Sequence, residues 1–164
     1  MKILIAYETR HGASAEAAAA IARGMGQEAE VKRISEVDCT LVGYDLVVVG
    51  GPIYFGKFAP EVPAFLAAHE SELSNAKIAA FVLGMMPNDY RALLRSLVPV
   101  SLRSRLLGIG QFDGKIDNDK LGFAERVITK AVGKMLEKQG GTAKSSFTQG
   151  AESFGAQLAA EIAR

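Results

Sequence analysis

The sequence has no tryptophan, a single cysteine and almost no net charge: 19 Lys and Arg stand against 18 Asp and Glu, a formal +1. A lone Cys39 excludes an intrachain disulfide and fits a reducing compartment, where it serves as a small filler. So even a balance supplies no field for holding nucleic acid, and none is expected as a partner. No apolar run reaches the ~20 residues that a membrane helix needs. The first residues lack the basic, apolar and small-residue order of an export signal, so a cytoplasmic protein is expected. Neither histidine has a cysteine or second histidine at ligand spacing, and no metal site is expected. The G-x-G-x-x-G of a dinucleotide turn is missing after the first apolar run, and so is the G-K-[ST] of a phosphate-loop ATPase. A phosphoacceptor domain would need an Asp closing its third strand, but the chain reads Val49-Gly50-Gly51-Pro52 there. No repeat, linker or low-complexity tract divides the chain, so residues 1–164 read as one domain.

What is present is an alternation of strand and helix patterns. Lys2–Tyr7 reads as strand one and Ala13–Met25 as an alanine-rich helix, ended by Gly24 and Gly26. Glu28–Ile34 is a moderate second strand, with Ala29 and Val31 on its apolar side. Asp45–Gly50 carries Leu46-Val47-Val48-Val49, the β-branched run of a strand covered on both faces. Pro60–Glu72 is helical, with Val62, Phe65 and Leu66 on one side and His69 near the end, where it would complement the helix dipole. Lys77–Leu83 is the fourth strand. Asp89–Leu102 is a helix interrupted near Pro99, and Leu106–Asp113 is a fifth strand weakened by Gly108 and Gly110. Gly122–Gln139 is an amphipathic helix, Gln139–Gln149 a loop, and Ala151–Ala163 the last helix. Strands alternating with helices predict an α/β fold: a doubly wound, five-stranded parallel sheet in the order 2-1-3-4-5 with helices on both faces. Its ligand belongs at the carboxyl ends of strands one and three.

Three loops meet at that edge. The first, Glu8 to Ser14, joins strand one to a helix N-terminus. Unpaired backbone N–H groups and the helix dipole favour an anion there, with hydroxyls from Thr9 and Ser14 and close approach at Gly12. The alternative is a plain turn that Ser14 caps. The second, Gly50-Gly51-Pro52-Ile53-Tyr54-Phe55-Gly56-Lys57-Phe58, sets small residues before aromatics, which suits a flat ring. The third, Gly84-Met85-Met86-Pro87-Asn88-Asp89-Tyr90, offers a second wall. A partly buried loop aromatic is the alternative for Tyr54, Phe55 and Tyr90.

The Thr9-Arg10-His11-Gly12-Ala13-Ser14 turn resembles the phosphate-binding turn of flavodoxins, T/S-x-T-G-x-T, with His11 where many have Thr. The other two loops resemble their flavin-contacting loops, and the resemblance covers the whole chain in order. It looks closest to the flavodoxin-type, menaquinone-dependent protoporphyrinogen oxidase branch, where the turn also reads Thr-Arg-x-Gly-x-Ser/Thr. That branch typically carries a Gly-Asp-x-Arg-Asp-like stretch before the last helix, whereas this chain has Gly140-Gly141-Thr142-Ala143-Lys144. The resemblance implies an FMN site contacted by Thr9, Arg10, His11, Gly12, Ala13, Ser14, Pro52, Ile53, Tyr54, Phe55, Gly56, Gly84, Met85, Asn88 and Tyr90. Tyr54 and Tyr90 would stack on the ring, and Gly56 would supply the flexible peptide beside flavin N5. Lys57 would set a cation next to the ring.

The expected function is an FMN-dependent oxidoreductase passing electrons to or from a quinone or porphyrinogen. A passive one-electron carrier and a flavin-free interaction module of the same fold are the alternatives. A redox partner protein could take the place of the small substrate. Arg126, Lys130, Lys134 and Lys138 form a basic stripe on the 122–139 helix. It reads as a surface helix packed on the sheet, or as a contact with an anionic membrane surface or with an acidic redox partner.

Overall fold

The computed structural model describes residues 1–84, 88–113 and 147–164. Six strands form one sheet: β1 Ile3–Tyr7, β2 Glu30–Arg33, β3 Leu46–Tyr54, β4 Lys57–Phe58, β5 Lys77–Gly84 and β6 Leu106–Asp113. The parallel strands lie in the order β2-β1-β3-β5-β6, and β4 pairs antiparallel with β3. Without the two-residue β4, this is the predicted 2-1-3-4-5 order. Among the described residues the helices are α1 Ala13–Met25, α2 Glu61–Ala68, α3 Arg91–Leu97 and α4 Phe147–Ile162.

Both faces of the sheet are covered, which explains the unbroken apolar run of β3: Leu46 to Val49 are fully buried. Ile3 and Ile5 of β1 pack with α1 and α4 through Ala17, Ile21, Phe154 and Leu158. Leu4 and Ala6 pack on the other face against Val62, Phe65 and Leu66 of α2 and Leu94 of α3.

Several boundaries differ from the sequence reading, each for a packing reason. β2 is only Glu30–Arg33, an edge strand whose Val31 is exposed. α2 ends at Ala68 and a short 3₁₀ turn follows at Glu72–Asn75, while Pro99 separates α3 from a 3₁₀ stretch at Val100–Arg105. Gly26 is the left-handed cap of α1, φ 60°, but Gly24 lies inside the helix, where a Cβ would stand 1.9 Å from the Glu152 carbonyl oxygen. Gly110 makes room in β6 for Phe154, so the strand stays paired with β5 to Asp113. α4 already includes Phe147, four residues ahead of the expected Ala151. The expected 122–139 helix and most of the 139–149 loop lie outside the described residues, as does Met85.

Candidate functional site

The turn after β1 is built by its own backbone and two side chains. The Glu8 N–H donates to the Gly50 carbonyl at 2.9 Å, which carries the β1–β3 pairing one residue past the strand. The Thr9 N–H donates to the Glu8 carboxylate at 3.0 Å, and the Gly12 N–H donates to Thr9 Oγ1 at 2.9 Å. Gly12 has φ 91°, a left-handed conformation that glycine adopts without a Cβ clash, and from it the chain enters α1. The first helical bond joins the Glu16 N–H to the Gly12 carbonyl at 3.1 Å. The N–H groups of Ala13, Ser14 and Ala15 precede it and have no intrahelical acceptor.

Ser14 decides what this turn suits. It is 1 % exposed, and its hydroxyl is the buried side-chain polar atom that has no hydrogen-bond partner among the described residues. A buried unpaired hydroxyl costs about 1–3 kcal/mol. Ser14 is the second residue of α1, while Gly12 holds the cap position, so the capping alternative does not hold. An orphaned hydroxyl beside unpaired N–H groups and the positive end of a helix dipole matches a phosphate in both charge and donor chemistry. The Thr9 hydroxyl accepts from Gly12 and keeps its own proton to donate.

The turn is braced by a pair that the sequence reading missed. Arg33 stands opposite Tyr7 in the β1–β2 register. Its Nε donates to Glu8 at 2.9 Å, and its Nη2 donates both to Glu8 and, at 3.2 Å, to the Thr9 carbonyl. The hydrogen bond to Glu8 raises the guanidinium pKa above its ordinary value. Nothing local in the sequence links residues 8 and 33; only the adjacency of two strand ends could have found the pair. The next two turn residues face the aromatic loop: Arg10 lies 5.5 Å from the Tyr54 ring centroid, and the His11 ring meets Tyr54 edge-on at 5.9 Å.

The sequence reads Gly50 as the end of the third strand and the residues to Phe58 as a loop; in the structure β3 continues to Tyr54 and a hairpin to β4 follows. β3 runs on through Gly50 and Pro52 because β5 pairs with it as far as Leu83, and Gly50 lies under the Phe81 ring, where a Cβ would meet it at 2.3 Å. Gly50 therefore answers to core packing. Tyr54 pairs with Lys57, and the two residues between them, Phe55 at φ 49° and Gly56 at φ 73°, make the mirror-image turn that tight hairpins favour. Phe55 is the one non-glycine residue with positive φ among the described residues, and it is 69 % exposed. Pro52 and Tyr54 are half-buried, while the Ile53 side chain is in the core.

The third loop is placed differently from expectation. Tyr90 is 7 % exposed and belongs to the core cluster on the α2 face; a Cβ on Gly84 would meet Ile53 at 2.6 Å and the Tyr90 ring at 3.0 Å. Its ring is thus a packing element, not an open stacking face. The Gln111 side chain from β6 pins this loop, accepting the Tyr90 N–H at 2.8 Å and donating to the Asn88 carbonyl at 2.6 Å. Exposed Asn88 and the Gly84 backbone remain at the sheet edge. His69 closes α2 as expected and also sits 3.1 Å from Glu72.

A cleft of about 620 Å³ opens beside the hairpin, lined by Glu8, Thr9, Arg10, Arg33, Pro52, Tyr54, Phe55 and the segment 57–61. Among the described residues no group of His, Cys, Asp and Glu could hold a metal, and no helix is long and apolar enough to cross a membrane.

A family model described as a flavodoxin domain matches residues 4–143. No curated protein matches the chain. Among solved structures, an archaeal flavodoxin is 14 % identical with a TM-score of 0.64, and the match covers 100 % of both chains. The two-electron reduced flavodoxin of Megasphaera elsdenii is 13 % identical with a TM-score of 0.59 over 96 % of this chain and 98 % of that one. The flavodiiron protein of Giardia intestinalis is 16 % identical with a TM-score of 0.56; the match covers 99 % of this chain but 36 % of that larger one. At these identities the structural likeness speaks for the fold.

Proposed function

The chain belongs to the flavodoxin-domain family, and from that premise we propose that it binds FMN and transfers electrons to a redox partner. The observation that carries the reading is the buried, unpartnered Ser14 hydroxyl at the first turn of α1. Thr9, Gly12, Ala13 and Ser14 would hold the phosphate, chiefly through backbone N–H groups and the two hydroxyls. Phe55, Tyr54 and Gly56 at the hairpin, with Gly84 at the end of β5 and Met85 and Asn88 after it, would bound the ring. When bound, FMN supplies one- and two-electron chemistry. The protein positions it and sets its electrostatic surroundings: Arg33 and Glu8 hold the turn, Arg10 and His11 hold Tyr54, and Gln111 holds the loop after β5.

Titration of the flavin-free protein with FMN and with riboflavin tests this directly. FMN is expected to bind far more tightly, because riboflavin lacks the phosphate. Ser14→Ala should weaken FMN by about 10- to 100-fold, the range for a hydrogen bond to a charged group, and leave riboflavin nearly unchanged. Equal affinity for the two ligands would sink the reading.

The finer reading is an enzyme acting on a quinone or porphyrinogen in the cytoplasm, with peripheral membrane contact through residues 122–139, which lie outside the described residues. The near-neutral charge and the cation at Lys57 support it. The Gly140–Lys144 sequence supports a passive carrier instead. Anaerobic turnover with a soluble quinone separates the two.

A further inference from the structure

α3 has an open outer side. Of its residues only Leu94 is buried, and the helix begins at the carboxyl edge of the sheet, where its cap residue Tyr90 packs on Gly84 at the end of β5. The 3₁₀ stretch after it leads into Leu106, opposite Ile78 near the start of β5. This surface therefore starts beside the third loop of the site and runs away from it toward the other edge of the sheet.

Its charge has one sign. Between Tyr90 and Phe112 the chain carries four arginines, Arg91, Arg95, Arg103 and Arg105, and neither an acid nor a lysine. Arg91 and Arg95 are exposed and four residues apart, so they share one side of the helix with about 5–6 Å between their Cβ atoms, a spacing that like charges disfavour. Arg103 folds back on the end of α3: its Nε donates to the Val98 carbonyl and its Nη2 to the Ser96 carbonyl, both at 3.0 Å. That sets a third cation beside the same helix. Two acids border the surface, but each meets a neutral donor: Asp89 accepts the Arg91 N–H at 2.9 Å, and Glu70 accepts the Ser101 hydroxyl. Among the described residues none of the four arginines forms an ion pair. Leu93 and Val100, the latter 76 % exposed, add apolar surface. Arginine is the cation enriched at protein interfaces, where lysine is depleted, and its planar fork takes a carboxylate through two parallel hydrogen bonds. A bilayer would find less to hold, since α3 is only about two turns long and exposes no aromatic ring.

We propose that the outer side of α3, with the arginines that follow it, is a docking face for an acidic redox partner protein. That the partner is a redox protein rests on the proposed function; the charge and exposure of the face do not. The probe is a plant-type [2Fe–2S] ferredoxin, a small and strongly acidic redox protein, titrated by calorimetry into the full-length protein with and without FMN. Binding is expected at low salt and should weaken as salt is added. Arg95→Glu should weaken it about tenfold, because it removes one cation and its new carboxylate engages Arg91. That same i, i+4 pairing keeps α3 stable, so a loss of folding is not what the variant reports. Arg164→Glu, at the exposed chain end after α4, alters the net charge equally and should leave the affinity within about twofold. Absence of binding, equal effects of the two variants, or binding indifferent to salt would each overturn the proposal. So would binding of phosphatidylglycerol vesicles in place of the ferredoxin, which would assign the face to a membrane. If the protein takes up no FMN, the flavin-free titration still tests the face, so failure of the flavin reading and failure of the docking face are told apart.

Discussion

Phe55 is, among the described residues, the non-glycine residue with a left-handed backbone. An L-residue in the left-handed region costs about 1–2 kcal/mol relative to the right-handed one, less for Asn, whose short side chain is tolerated there. At φ 49° and 69 % exposed, Phe55 recovers little of this through burial. A residue kept at such a position is a functional candidate, because strain persists where the surroundings impose it. Phe55→Asn, which restores the preferred Asn-Gly pair of the turn, is expected to raise the unfolding free energy by about 1 kcal/mol in urea titrations while weakening flavin binding. Stability gained with no loss of flavin affinity would remove Phe55 from the site. Ser14 makes the complementary case at the same scale, a hydroxyl that costs stability unless an anion meets it.

At the scale of elements, α1 and α4 approach each other backbone to backbone. A Cβ on Gly155 would stand 2.1 Å from the Ile21 carbonyl oxygen, and one on Gly24 would stand 1.9 Å from that of Glu152. Each helix thus presents a glycine to the other's backbone, and the alanines of α1 let the axes come close. Gly155→Ala would gain about 1 kcal/mol in an isolated helix. Here it is expected to destabilise the protein, by a net ~1–3 kcal/mol, because the neighbour is backbone and can yield only if the helices separate. Chemical denaturation with a measured m-value checks this, and an unchanged midpoint would show that the crossing can widen freely. The strain would be transmitted to the first turn of α1, so phosphate affinity should fall with stability.

On the scale of the whole molecule, Glu72 ties distant segments together. Its carboxylate accepts the Thr40 hydroxyl at 2.7 Å and the Leu41 N–H at 2.6 Å, and it sits 3.1 Å from His69. The Thr40 hydroxyl, then the Leu41 N–H and His69, hold its pKa down to about 2 from an ordinary 4.5. A depressed folded-state pKa means that the unfolded chain takes up the proton first as pH falls. The stabilisation is therefore complete above about pH 4.5 and is lost progressively down to about pH 2. Glu72→Gln should be less stable than the parent at neutral pH and show a flatter pH dependence between those limits. Thermal melts across that interval check it; parallel curves for the two proteins would contradict the assignment.

The sequence by itself determined the layers, the strand order and the tight turn between β1 and α1. These follow from local chemistry: apolar periods of two and of about 3.6, β-branched runs, and a glycine and hydroxyls at a helix start. Tertiary structure decided what the glycines and aromatics are for. Gly50, Gly84 and Gly24 look alike in sequence, yet their roles come from Phe81, from Ile53 with the nearby Tyr90, and from the Glu152 carbonyl, most of them far along the chain. Tyr54 and Tyr90 look equivalent too, but one lies at the surface against Arg10 while the other is in the core. The brace between Glu8 and Arg33, and the cleft over it, exist only because two strand ends lie side by side in the sheet. Contacts between residues distant in sequence leave no periodic trace, and it is these contacts that turn a familiar fold into a particular site.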